Sequence, residues 1–81
     1  MYEPNFTRQE GIVLGLLSRG YTNADIMERL YITKNTLKTH MRNIFWKIGV
    51  NDRTQAAIWG VKHNYGQTRE LVPFKKFEWQ E

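Results

Sequence analysis

The stretch from Thr22 to Val50, TNADIMERLYITKNTLKTHMRNIFWKIGV, constrains this chain more than any other feature. Thr22 and Thr33 each stand just ahead of an apolar pattern with helical spacing, and a short threonine before such a pattern is a helix start. After Thr22 the inner residues are Ile26, Met27 and Leu30, with Asp25 placed to answer the cap and favour the positive helix end. After Thr33, Leu37, Met41, Ile44 and Ile48 recur at i, i+4, i+7 and i+11, one apolar stripe. Only Tyr31 and Ile32 lie between, so the two helices are joined by a tight turn. Gly49 closes the second of them.

The same reasoning places a helix on either side. Thr7 with Glu10 forms a Thr-x-x-Glu capping box ahead of Ile12, Val13, Leu16 and Leu17. This helix ends near Arg19, with Gly20 available for the left-handed position after it. Gly11 and Gly15 lie inside, each costing about 1 kcal/mol against alanine, which points to close helix approach or to a weak helix. Asp52 caps a fourth helix, with Gln55 at the capping-box position, and that helix frays by Asn64 to Gly66. No alternating pattern is long enough for a sheet, and there is no repeat or low-complexity tract. The expected fold class is all-α, a four-helix bundle over residues 1–66 followed by a tail, 67–81.

Composition narrows the classes of function. At 81 residues the chain is one domain or a fragment of a larger protein, with a modest core. There is no cysteine, so no disulfide or thiolate–metal staple is available, which fits a reducing cytoplasm. The longest apolar run, Ile12 to Leu17, is too short to span a bilayer, and MYEPNF lacks the features of a signal peptide. The cytosol is the expected compartment. Residues 1–30 carry three basic and four acidic groups. Residues 31–53 carry Lys34, Lys38, Arg42, Lys47 and Arg53 against Asp52 alone. Residues 54–81 carry four basic and three acidic groups. The net charge of +4 therefore sits on the third helix and its exit, a localised field suited to a polyanion.

With the Leu37 stripe turned inward, Asn35, Lys38, Thr39 and Arg42 share one outward face, flanked by Trp46. Arg and Lys donate to guanine O6 and N7, Asn pairs bidentately with adenine, and Thr donates or offers its methyl to thymine. Thr33, Thr36 and the free N–H groups at the helix start can hold phosphates, with Lys34 and Lys47 near the two ends. The ordinary alternative is an amphipathic helix with solvated lysines. His40 and His63 lie on different helices with no carboxylate cluster around them. No glycine-rich phosphate loop or metal-ligand spacing occurs. No enzyme activity, cofactor or metal is expected.

The spaced residues resemble the LuxR/GerE-type helix-turn-helix family over Phe6 to about Val61. They are Phe6-Thr7 with Glu10 and Leu14; Leu16-Leu17-x-x-Gly20; Thr22-Asn23-x-Asp25-Ile26; Ile32-Thr33-x-x-Thr36-Leu37-Lys38-x-His40-x-x-Asn43-Ile44; Lys47-Ile48-Gly49-Val50; and Arg53-Thr54-Gln55-Ala56. The resemblance implies a domain that binds double-stranded DNA as a dimer on two-fold-related half-sites, through its third helix. It places base reading on Lys38, Thr39 and Arg42, with Asn35 added from the face just described. It places phosphate contact around Asn23, Thr33, Thr36 and Lys47, and the dimer contact on the fourth helix. There Gln55, Trp59 and Lys62 share a face beside Ile58. The small Ala56 and Gly60 favour packing on the core and leave Trp59 either to the dimer or to the cap of the monomer core.

Four positions depart from the family pattern. Gln9 stands where Arg is usual and Ile12 where Glu is frequent, so a charge network on the first helix is expected to be absent or altered. Met27 replaces a small residue where the two motif helices cross, which would widen or tilt the crossing. Trp46 stands outward where polar residues are commoner, and three roles are open to it: packing on the tail, contacting a partner, or covering the sugar–phosphate backbone. The tail lies outside the family pattern. Pro73 blocks a continuous helix there. Phe74, Phe77 and Trp79 alternate with Lys75, Lys76 and Glu78, and the segment is expected to fold back on the domain or on a neighbouring protomer.

The function expected is that of a sequence-specific transcription regulator, or its output domain, acting on the nucleoid as a homodimer with no membrane or small-molecule partner. The rival is a LuxR-like interaction module that heterodimerises with a true regulator and inhibits it.

Overall fold

The computed structural model describes residues 4–65. Four helices follow in order: α1 Arg8–Ser18, α2 Asn23–Leu30, α3 Lys34–Ile48 and α4 Arg53–Lys62. The described residues contain no strand. The expectations for residues 67–81 lie outside the described residues.

Each helix starts where its cap places it. The Thr7 hydroxyl accepts from the Glu10 N–H at 3.1 Å, and the Glu10 carboxylate accepts from the Thr7 N–H at 3.1 Å, a complete capping box. Thr22, Thr33 and Asp52 accept in turn from Asp25, Thr36 and Gln55. The Gln55 side chain reaches back past its cap to the Asn51 N–H, at 3.0 Å. Gly20 and Gly49 take left-handed backbone after α1 and α3, with φ of 85° and 74°. The α2–α3 turn does the same without glycine. Tyr31 sits at φ 55°, 94% exposed, a conformation that L side chains adopt at a cost.

α1 is the central helix. Its residues from Glu10 to Leu17 are all buried, and α4 and α3 pack against it. Val13, Leu14, Leu16 and Leu17 meet Ile26 of α2, Leu37 and Ile44 of α3 and Ala56 of α4 in one core. Gly15 lies where the chain after α4 comes close to α1. A methyl there would lie 3.1 Å from the Tyr65 carbonyl oxygen. Met27 is partly buried against the core, its flexible side chain absorbed by the packing.

Gly60 marks the tightest approach, between α4 and α1. An added Cβ would stand 1.9 Å from Ser18 Oγ, 3.2 Å from its Cβ and 3.3 Å from Leu14 Cδ1. The Ser18 hydroxyl could rotate only by giving up its 2.8 Å bond to the Leu14 carbonyl, and Leu14 is fully buried. Gly60→Ala should therefore destabilise the domain by about 1–3 kcal/mol as an overpacking change, despite alanine's better helix propensity. Urea unfolding tests this. An unchanged or raised midpoint would mean that the helix pair opens without cost.

Candidate nucleic-acid interface

α3 presents two opposite faces. Leu37 and Ile44 are buried, while Lys34, Asn35, Thr36, Lys38, Thr39, Arg42, Asn43 and Trp46 are exposed. Around the helix axis, at about 100° per residue, Lys38, Arg42, Asn35 and Thr39 fall at about 100°, 140°, 160° and 200° from Leu37. The structure thus brings together the four side chains singled out for base reading on one exposed strip. None of the four side chains is hydrogen-bonded or ion-paired among the described residues. Two cations and two hydrogen-bonding polar groups there are free to meet a ligand.

The residues singled out for phosphates surround this strip with differing commitments. Thr33 and Thr36 sit at the start of α3, with Thr33 Oγ1 bonded to Thr36 Oγ1 at 3.0 Å, and Lys34 is exposed beside them. Asn23 is the first residue of α2, and its side-chain oxygen accepts from the Arg53 guanidinium. Arg53 also donates to the Tyr21 carbonyl at 2.6 Å, which ties the start of α4 to the start of α2.

Lys47 is not a free end. Its Nζ donates to Glu10 Oε1 at 2.6 Å and to the Asn5 carbonyl at 2.9 Å. The Glu10 side chain is only 5% exposed. Burial pushes its carboxyl up, but the Lys47 ammonium, the Thr7 N–H and Asn43 together outweigh this, and the net result lies below the ordinary value of 4.5. The pair ties α1 to α3 through two residues that match the family pattern, and neither Gln9 nor Ile12 takes part in it.

The fourth helix divides the residues expected at a dimer contact. Gln55, Ile58 and Lys62 are exposed, and Val61 joins them. Trp59, beside Gln55 and Lys62 on the helix, is only partly exposed. It packs on the monomer core, with Phe6 edge-on at 6.0 Å, His63 stacked at 3.8 Å and Tyr65 at 5.7 Å. The reason is the α1–α4 contact through Ala56 and Gly60. It rolls the helix so that position 59 covers the N-terminal segment and positions 58 and 61 face outward.

Two short helices meeting at a tight left-handed turn, with a second pair bracing them and a cationic strip on the later helix, define a helix-turn-helix domain. Residues 4–60 match the family of bacterial regulatory proteins known as luxR, and the chain belongs to that family. It is similar to the transcriptional regulatory protein DegU of Brevibacillus brevis, 46% identical over 63 residues, which are 78% of this chain and 27% of DegU. It is 48% identical to the transcriptional regulatory protein LnrK of Bacillus subtilis over 59 residues, 73% of this chain and 27% of LnrK. It is 45% identical to the response regulator VraR of Staphylococcus aureus over 58 residues, 72% of this chain and 28% of VraR. The chain thus spans only about a quarter of the length of these relatives. Among the described residues, no helix is long and apolar enough to cross a membrane, and no group of three or more His, Cys, Asp or Glu could hold a metal.

Proposed function

We propose that this chain is a sequence-specific DNA-binding regulator of transcription, or its output domain, reading the major groove with α3. The observation that carries the reading is the exposed strip of Asn35, Lys38, Thr39 and Arg42, unpartnered among the described residues, on a helix braced from behind. An α-helix fits the major groove, and these residue types match base edges there. Asn23, Thr33, Lys34 and Thr36 flank the strip and are the proposed phosphate contacts. Lys47 joins them through its third N–H, since an ammonium has three donors and Glu10 and Asn5 take two. The relatives named as transcriptional regulatory proteins support the same reading. The test is selection from a random duplex pool by the full chain, followed by a salt titration. One sequence should be enriched, and its affinity should fall steeply with salt. Enrichment of none would sink the proposal.

Dimerisation belongs to the same proposal. Two-fold half-sites require a two-fold protein contact, and α4 offers Ile58 and Val61 at 52% and 54% exposure, between Gln55 and Lys62. Ile58→Asp should weaken self-association and the cooperative filling of two half-sites, with single-half-site binding retained and the melting temperature of dilute protein unchanged. Sedimentation and binding to one- and two-site duplexes measure this. A parental oligomeric state in the variant would move the contact elsewhere. The same surface would serve heterodimerisation with a related regulator. The intact reading strip favours DNA binding over a purely inhibitory role.

A further inference from the structure

Trp46 is 83% exposed, a large apolar ring left on the surface of a well-packed helix. Its position around α3 is specific. It falls about 180° from Leu37, between Arg42 and Thr39, within the angular range of the polar strip. Along the axis it lies about 6 Å beyond Arg42 and about 10 Å beyond Thr39. A protein surface seated on Trp46 would also cover Arg42 and strip its charge of water, a cost that only a countercharge offsets. The ligand that suits both side chains is a polyanion with apolar faces between its charges.

We infer that Trp46 is a backbone-positioning residue of the DNA interface, packing its indole on a deoxyribose at the groove wall and donating Nε1–H to the adjoining phosphate. The inference rests on the proposed reading by α3. The geometry supplies the place. The major groove is about 12 Å wide, so with Thr39 near mid-groove a side chain about 10 Å further along the helix has passed the base edges and stands over the sugar–phosphate wall. The chemistry supplies the fit. A sugar offers an apolar C–H face beside a phosphate acceptor, and tryptophan offers an apolar face and a single N–H donor. Most DNA-backbone contacts made by side chains are cationic and release counterions. Trp46 carries no charge, so its contribution is independent of salt.

That independence is the test. The probe is the duplex that the full chain selects from a random pool, with affinity measured by fluorescence anisotropy across a series of NaCl concentrations. Trp46→Ala should bind about tenfold more weakly, as expected for loss of one good contact, and its plot of log affinity against log salt should run parallel to the parent's. Trp46→Phe should recover part of the loss, keeping a ring without the N–H. Trp46→Lys should steepen the salt slope by about one. Melting temperature and sedimentation should stay parental. Parental binding by Trp46→Ala, while Lys38→Ala and Arg42→Ala lose affinity, overturns the inference and leaves the reading helix standing. Parental binding by all three overturns both. A change in oligomeric state or melting temperature with unchanged affinity for DNA assigns the ring to a second copy or to residues 67–81, and also overturns it.

Discussion

Replacing Lys47 by alanine should remove about 3–5 kcal/mol of stability, because it leaves a buried carboxylate without its cation. Glu10 has little water to turn to, its side chain being 5% exposed. It would keep the Thr7 N–H at 3.1 Å and lose the 2.6 Å ammonium contact. The Lys47 bond that holds the Asn5 carbonyl beside Phe6 would go with it. A small domain has about 5–15 kcal/mol in all, and the melting temperature should fall by roughly 12 °C or more. Lys47→Ala combined with Glu10→Gln should recover much of the loss, since the buried charge is then gone. Thermal and urea unfolding of the four proteins give the coupling directly. A Lys47→Ala protein that melts with the parent would show the ion pair to be energetically idle.

The pH dependence follows with a definite sign. In the parent the folded Glu10 carboxyl lies below its ordinary value, so its contribution is fully present above about 4.5 and is lost as pH falls through the lowered folded value. In Lys47→Ala the lowering by the ammonium is gone, so the folded carboxyl should rise from its parental position toward the ordinary value. That protein should lose less stability than the parent on acidification through the same range. The gap between parent and variant should therefore narrow from pH 7 to pH 4. A constant gap would assign the effect to packing by the lysine stem.

What the sequence made legible was local. Each helix start rests on a bond between residues three apart, such as Thr22 with Asp25 or Asp52 with Gln55, and the apolar repeat sets which face turns inward. Those signals placed all four helices and the exposed strip on α3. Contacts across the bundle were beyond them. Glu10 and Lys47 are 37 residues apart, and Asn23 and Arg53 are 30 apart. No periodicity relates such pairs, so the sequence shows Lys47 only as a phosphate candidate near a helix end and Arg53 only as part of the local positive charge and the family pattern. Both readings of Trp59 stay open in the sequence for a related reason. Wheel positions give angles within one helix, but the roll of α4 against α1 is set by Gly60 meeting Ser18, which only the assembled pair reveals. Trp46 stood out in the sequence as an outward apolar residue, and what the structure adds is how exposed it is.

The double variant Lys38→Ala, Arg42→Ala should lose affinity for the selected duplex by on the order of a thousandfold per half-site, at about 1–3 kcal/mol for each good base contact. The two residues stand four apart on α3, about 6 Å along its axis, so they meet different base edges. Neither side chain supports the fold. Both are exposed and unpartnered among the described residues, and alanine is a better helix former than either. Circular dichroism and melting should match the parent, which separates this variant from Lys47→Ala, where binding can fail because the domain unfolds. The informative quantity is the ratio of affinities for the selected and an unrelated duplex at one salt concentration. Removing phosphate contacts lowers both affinities alike, whereas removing base contacts collapses the ratio. A folded double variant that still selects the parental sequence with the parental ratio would take the reading role away from α3.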